Sequence, residues 1–545
     1  MRSEVSGRRP PPKAMALLGG EEAWEFLDRM VSLAPVNLED PVHRRTDKSR
    51  YPAAASAILE RARGWGLAGR VWDAREELPQ GAKRFPESRP NVIIDLPGDS
   101  SETLLLLAHY DVVPVPEEQR HRWKTPPHEL TYRADGRLYG RGSNDDLGSG
   151  VLASLRALQR LAQAPRRPVT VRFIACCDEE TGGAGGIEAL REHDESLGEA
   201  SPERLLRGEL ALIPDGSDYV AAGSSGVSFL DLAVETPTPL SHLLLLAQRA
   251  IDFHGIADSW RSQLAAPRER GDPPHPTIAG RATLTRLDLR VPGGASSDPR
   301  PLKVHAESLA ANQIPASVTI SLPPLPGVVL DAVVGPTGLK VPPPFALRWD
   351  AAGGSQGGPT ITVSGISGHG GYPHEAANPV PIAVAVVREL GDRGIVDLSA
   401  KGTGEMTLDL RSPPEMEASR AVSTFREYFR AEIESTVAGA RLEAPVDRTR
   451  SGYFLPVDHP MVRRVQKVYE EVAHRPVGVY GEFGGTDASA LRTLRTPGGA
   501  PLPAIVFGAM DARAHIHDAE ESLDPARLRE VVELLVRMVE TWNAG

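Results

Sequence analysis

Five short segments of this chain finish or follow apolar runs with histidines and carboxylates. Residues 104–111, LLLLAHYD, close a leucine run with His109 and Asp111. Residues 140–150, GRGSNDDLGSG, set Asp145 and Asp146 just ahead of a helical pattern. Residues 169–186, VTVRFIACCDEETGGAGG, run from an apolar strand pattern straight into Asp178, Glu179 and Glu180. LALIPDG (210–216) leads to Asp215, and AHIHDAEESL (514–523) offers His515 and His517. Imidazoles and carboxylates without cysteine thiolate suit zinc, manganese or cobalt in a catalytic rather than a closed structural site. Taken singly, the segments have plainer explanations. A turn with a capping aspartate accounts for His109-Tyr110-Asp111, and helix N-capping accounts for Asp145 or Asp146. Three adjacent acids at the mouth of a core strand are harder to explain that way, because they repel each other and a bound cation relieves the repulsion. The GGAGG that follows is no phosphate cradle, lacking the Lys-Ser/Thr ending of a P-loop and the spacing of a dinucleotide fingerprint.

For these residues to act together, the fold must bring strand ends to one edge. Apolar runs of strand length occupy 91–96, 103–108, 169–177 and 210–214. Helical spacing recurs at Trp24, Leu27, Met30 and Val31, over 52–65, and from Asp146 through Leu152, Leu155, Leu158 and Leu161. Strands apolar on both faces and separated by helices predict an α/β layer architecture with a mixed, mostly parallel sheet flanked by helices. In such sheets ligands bind beyond the C-terminal strand ends. The texture changes near Gly226. A strand over 227–234, a leucine-rich helix over 240–253, and strand, helix, strand, helix over 360–365, 379–390, 404–411 and 414–435 predict an inserted α+β domain. The stretch 263–300, rich in Pro, Gly, Arg and Asp, shows no clear periodicity. A helix at 460–473, a strand at 503–508 and a helix at 524–543 return to the first texture. The expected organisation is a flexible tail over 1–20, a catalytic domain over 21–225 and 452–545, and an inserted domain over 226–451.

Composition bounds the function. The 545 residues carry 61 Lys and Arg against 72 Asp and Glu, net −11, with 41% apolar and 24% charged residues. That is the balance of a globular protein of more than one domain. The acidic sum argues against a nucleic-acid partner, which needs a basic field. No apolar run reaches the ~20 residues that span a bilayer, so no membrane partner is expected. The two cysteines, Cys176 and Cys177, are neighbours and cannot staple distant segments, which makes a reducing, cytoplasmic location the expectation.

The five segments, in this order, resemble the zinc-dependent metallopeptidases that include carboxypeptidase G, acetylornithine deacetylase, succinyl-diaminopimelate desuccinylase, aminoacylases and peptidase V-type dipeptidases. AHYDVVPV, GRLYGRGSNDD, DEETGG, IPDG and IHDAEE carry the resemblance, which runs from about residue 20 to the end. It implies two zinc ions, with manganese or cobalt as substitutes. His109 and Asp215 would hold one, Glu180 and His517 the other, and Asp145 would bridge both. Asp111 would orient His109, and Glu179 would be the general base acting on a metal-bridging water. His517 is preferred to His515 because Glu521 lies four residues beyond it, as in the family's H-x-x-x-E. TVSGISGHGGYPHEAANPV (362–380) resembles the signature of the family's lid domain, which implies that His369 stabilises an oxyanion and Asn378 positions substrate. TLDLRSPPE (407–415) resembles the strand whose arginine, here Arg411, grips a substrate carboxylate; a surface salt bridge explains that arginine equally well. GEFGGTDAS (481–489) matches the family's glycine-rich loop.

The chain departs from the family in carrying Leu147 where a lysine is common, His128 where a phenylalanine is common, and an enlarged insert. The implied activity is hydrolysis of an amide bond in a dipeptide or short peptide by a monomer or homodimer. The alternatives are an N-acyl amino acid deacylase and a non-catalytic peptide- or metal-binding protein on the same scaffold.

Overall fold

A computed structural model describes residues 9–36, 50–115, 117–198, 201–251, 281–292, 302–306, 313–323, 340–350, 358–369, 376–414, 416–430, 437, 440–443, 449–482 and 484–543. The chain divides into two compact units. One comprises Met1–Ser224, Tyr453–Glu482 and Thr486–Gly545, the other Ser225–Gly452 and Phe483–Gly485.

The first unit is built on a mixed sheet of nine strands: β1 (Gly69–Asp73), β2 (Pro90–Leu96), β3 (Thr103–His109), β4 (Thr170–Cys176), β5 (Leu210–Ile213), β6 (Val220–Ser224), β7 (Tyr453–Phe454), β8 (Val479–Glu482) and β9 (Ala504–Val506). Their spatial order is β1-β2-β4-β3-β5-β9-β6-β7, with β8 added beside β6. The four middle strands, β4, β3, β5 and β9, are parallel. Antiparallel pairs flank them, β1–β2–β4 on one side and β9–β6–β7 on the other.

The leucine run of β3 shows why the strands are apolar throughout. Leu104 and Leu106 pack with the helices Glu21–Leu33, Tyr51–Gly64, Ala153–Ala162 and Pro525–Glu540, while Leu105 and Leu107 pack with the helix Ile187–Ser196 and with Leu491 and Leu494. Alternate side chains point to opposite faces, and helices cover both. Because β2 runs antiparallel to β4, its N-terminal end lies at the edge where β4 ends.

The second unit holds a nine-stranded antiparallel sheet. Its longest members are Gly226–Pro239, Arg281–Val291 and Lys401–Ser412. The helices Leu240–Ile251, Pro379–Asp392 and Ala418–Phe429 contribute to its core.

Two expectations need correction. The aperiodic stretch contains a long strand, Arg281–Val291, whose apolar Leu287, Leu289 and Val291 are buried and alternate with charged residues. A register shift between Leu284 and Arg286 breaks the period and hides the pattern. Residues 252–280 and 293–300 of that region lie outside the described residues. Within the expected tail, Pro12–Leu18 is helical, with proline at its start, Gly19 in the left-handed conformation at its end, and Leu18 1% exposed. Burial of Leu18 in the core, with the proline start and glycine stop, explains this short helix.

Candidate metal centre

The C-terminal ends of the parallel strands deliver the donors. β3 ends in His109, β4 runs on to Asp178, Glu179 and Glu180, and β5 runs on to Asp215. The loop before Leu147 carries Asp145 and Asp146, and the loop after β9 carries His517. His109 Nδ1 lies 3.0 Å from the carbonyl oxygen of Asp111. A carbonyl only accepts, so Nδ1 carries a proton, and Nε2 is the nitrogen that faces the centre. That Nε2 is 3.1 Å from Asp145 Oδ1 and 3.7 Å from Asp215 Oδ2. His517 Nε2 is 3.0 Å from Asp145 Oδ2 and 3.1 Å from Glu180 Oε2. The two oxygens of Asp145 thus face different imidazoles. Two sets of three, His109 with Asp146 and Asp215, and His109 with Asp145 and Glu180, each bring one donor atom per residue within 4.8 Å of one another.

Charge is crowded here. Burial opposes ionisation of Glu180 and Asp215 and, helped by Asp145, pushes each up to about 7 despite the imidazoles. Burial disfavours charged His517 as well, yet Glu180 and Asp145 outweigh it and raise it to about 10. His109 is likewise raised against its burial by Asp215, Asp111 and Asp145. Asp145 is held low against its own burial by the two histidines.

The donor set fits divalent cations. It combines imidazole with carboxylate, is buried, and includes two oxygens, Glu180 Oε1 and Asp146 Oδ1, that are buried without a hydrogen-bond partner.

The surrounding loops are held by backbone amides. Asp111 Oδ1 and Oδ2 accept from Glu179 N at 3.0 Å and Glu180 N at 3.1 Å, while Oδ1 is 3.5 Å from His109 Nδ1. The nearer partner of that imidazole is therefore the peptide carbonyl of Asp111. Glu179 is half-buried on the short helical turn Glu179–Thr181, and its charge acts on Asp215. Glu521 is fully buried. Its Oε1 accepts from Asn144 N and Asp145 N at 3.0 and 3.1 Å, and its Oε2 from Gly142 N at 3.1 Å and Arg141 Nη1 at 2.6 Å. Asp146 Oδ2 accepts from His109 N at 3.2 Å, and the Asp145–Asp146 peptide is cis. A π-helical turn, Leu147–Leu152, follows it. Gly150 is required there because a Cβ would collide with the Asp146 carboxylate. His515 is exposed, and His517 is the histidine brought to the cluster.

The structure brings Asp146, the neighbour of Asp145 in the doubled aspartate, to the cluster, and it adds Arg141 and the multiple acceptor role of Glu521, which follow only from tertiary contacts.

The remaining expected site residues belong to the second unit. His369 lies on the two-residue strand Gly368–His369, paired with Gln313–Ile314. Asn378 caps the helix Pro379–Asp392: its Oδ1 accepts from Val380 N, and its Nδ2 donates to Leu284 O at 3.0 Å. Arg411 is 5% exposed and donates from Nε and Nη2 to the two oxygens of Asp409, at 2.6 and 2.8 Å. Residues 370–375 of the lid-like signature lie outside the described residues.

A parallel-centred α/β sheet whose strand ends gather histidines and acids defines a metal-dependent hydrolase. The profile of Peptidase family M20/M25/M40 matches residues 105–541, and the chain belongs to that family. It is a metallopeptidase by that membership. A cysteinylglycine-S-conjugate dipeptidase of Corynebacterium striatum is 25% identical over 483 residues, covering 84% of this chain and 85% of the relative. The fold is similar to that of the dipeptidase Dug1p of Saccharomyces cerevisiae, with a TM-score of 0.57 and 13% identity over 96% of each chain. Human carnosine dipeptidase 1 gives a TM-score of 0.55 and 13% identity, over 97% of this chain and 99% of that one. Among the described residues, no helix is long and apolar enough to cross a membrane.

Proposed function

We propose that this metallopeptidase is a dipeptidase with two divalent cations, zinc in the first instance. His109 and Asp215 would hold one, Glu180 and His517 the other, and Asp145 would bridge them. The observation that carries this reading is the pair of contacts made by Asp145, one oxygen toward each imidazole. Similarity to dipeptidases over most of the chain supports the substrate class. Bound cations would polarise the scissile carbonyl and acidify the attacking water. Glu179, half-buried beside this cluster, takes the proton that water gives up and passes it to the departing amine. Asp111 keeps Glu179 and Glu180 in place by accepting both backbone amides. In the second unit, His369 is assigned the oxyanion and Asn378 the segment that positions substrate, whereas the buried pair of Arg411 with Asp409 favours the salt-bridge reading of that arginine. The cytoplasm is the proposed location.

Metal analysis together with turnover of a series of Ala- and Gly-containing dipeptides tests the proposal. Two metals per chain and dipeptide hydrolysis are expected. Hydrolysis confined to acetylated or succinylated amino acids would make the protein a deacylase, and metal without turnover of either series would make it a binding protein.

A further inference from the structure

Arg89 stands at the entrance of β2, in the sequence SRPNVIIDL, just ahead of residues that are almost all apolar. Its side chain is nonetheless only 1% exposed. A guanidinium at such depth is tolerated when a fixed anion and well-aimed hydrogen bonds offset its desolvation. The anion is Asp178, itself 2% exposed: Arg89 Nε donates to Asp178 Oδ2 at 2.8 Å, and Gly185 N donates to the same oxygen at 3.2 Å. The rings of Tyr51 and Phe85 lie 5.5 and 5.8 Å from the guanidinium carbon and wall it in. Asn91, two residues on, ties the same loop a second time, accepting from Cys177 N at 3.3 Å and donating to Gly185 O at 2.9 Å.

Asp178 has φ +64°, in the left-handed region. A non-glycine residue keeps that conformation when its surroundings over-determine it. The next two residues are Glu179 and Glu180. Any relaxation of Asp178 rotates the start of the turn that carries both, and displacement of a catalytic group by about 1 Å costs on the order of 10²-fold in rate. An apolar side chain of similar length would fill the same volume without the desolvation penalty, but it would not direct a hydrogen bond at the Asp178 carboxylate.

Given the roles proposed above for Glu179 and Glu180, we propose that Arg89 is a positioning residue for the hydrolytic reaction, clamping Asp178 so that the 178–180 turn presents both glutamates correctly. Arg89 touches neither substrate nor metal in this role; it acts through Asp178.

The test compares Arg89→Lys, Arg89→Met and the double variant Arg89→Met/Asp178→Asn with the wild-type chain, loaded with zinc for kinetics and with cobalt for visible spectroscopy. The double variant removes both buried charges and guards against misfolding caused by a buried Asp178 charge that has lost its guanidinium. At saturating metal, Arg89→Met and the double variant are expected to lose kcat by about 30-fold or more. KM should stay within about threefold, since substrate contacts are untouched. The cobalt spectrum should change because Glu180 rides on the same turn, and Arg89→Lys should recover part of the lost kcat. Wild-type kcat and cobalt spectrum in either folded Met variant would overturn the inference. So would a loss that merely follows the folded fraction, or failure of the double variant to fold. If wild type does not cleave dipeptides but the cobalt spectrum still shifts in Arg89→Met, the dipeptidase reading falls and the clamp stands. If wild type cleaves dipeptides and Arg89→Met matches it in both readouts, only the clamp falls.

Discussion

Buried charge is handled in opposite ways along the long strands of the second unit and at the candidate metal centre of the first, where buried pairs such as Arg89–Asp178 and Arg141–Glu521 lie around the centre rather than within it. In the second unit each buried acid of the long strands meets an arginine two positions along. Asp409 has Arg411, and Asp288 has Arg290 at 2.9 and 2.7 Å, with His305 Nδ1 3.5 Å away. Residues two apart on a strand share a face, so such a pair neutralises itself locally. Asp288 is held below the usual carboxylate range by His305 and Arg290 in spite of its burial. In the first unit the acids converge instead. Asp145, Asp146, Glu180 and Asp215 crowd around two imidazoles, and Glu180 and Asp215 are pushed up to about 7. Paired charge of the first kind maintains a sheet; concentrated carboxylate of the second kind suits a divalent cation.

The contrast can be broken at its centre. Asp145→Ala should remove the shared ligand, with metal content falling below two per chain and activity dropping by at least ~10³-fold. Full metal stoichiometry would show that another group bridges. In the second unit, Arg411→Met leaves Asp409 buried without its partner and should lower the unfolding free energy by about 3–5 kcal/mol. By contrast, Glu180→Gln should stabilise the metal-free protein at pH 8. The pKa of Glu180 is raised on folding, so its ionisation above about 7 opposes the folded state, and the neutral amide removes that opposition. Paired chemical-denaturation curves would decide, and equal losses in both variants would erase the distinction.

Glu179→Gln should retain both metals while kcat falls by about 10²-fold or more, because proton transfer is lost. Unchanged turnover would take Glu179 out of the chemistry. Metal binding should also depend on pH. In the metal-free protein Glu180 and Asp215 hold protons below about 7, and His517 holds one up to about 10. Metal must displace these protons, so affinity should weaken as pH falls from 7 to 5.5, by about tenfold per unit for each proton released. Competition with a chromophoric chelator at several pH values measures it, and a flat profile would mean that the donors are already bare.

Much of this centre was legible because β3, β4 and β5 each place an acid or imidazole at or just past the strand end, and a run such as LLLLAHYD announces both the strand and its cargo. The choice of His517 over His515 rested on the spacing to Glu521, and His517 is the one brought to Asp145 and Glu180. Less visible were features defined only by tertiary contact. Nothing in SRPNV predicts that Arg89 meets a carboxylate 89 positions away. The strand Arg281–Val291 escaped because its bulge interrupts the alternation, and the helix Pro12–Leu18 because it is too short for periodicity to register. For Asn378, hydrogen bonds at both ends of the amide became apparent only in the fold.

The carboxylate of Glu521 gathers amides from residues 142, 144 and 145, which lie 376 to 379 positions upstream. During translation, therefore, the loop bearing Asp145 emerges from the ribosome long before its anchor exists. A nascent chain has all of β3 to β5 and still lacks the carboxylate that accepts the Asp145 amide. Assembly of the centre in this sense waits for a segment made some 376 residues after the loop it anchors, and a truncation ahead of Glu521 would leave that loop without these acceptors.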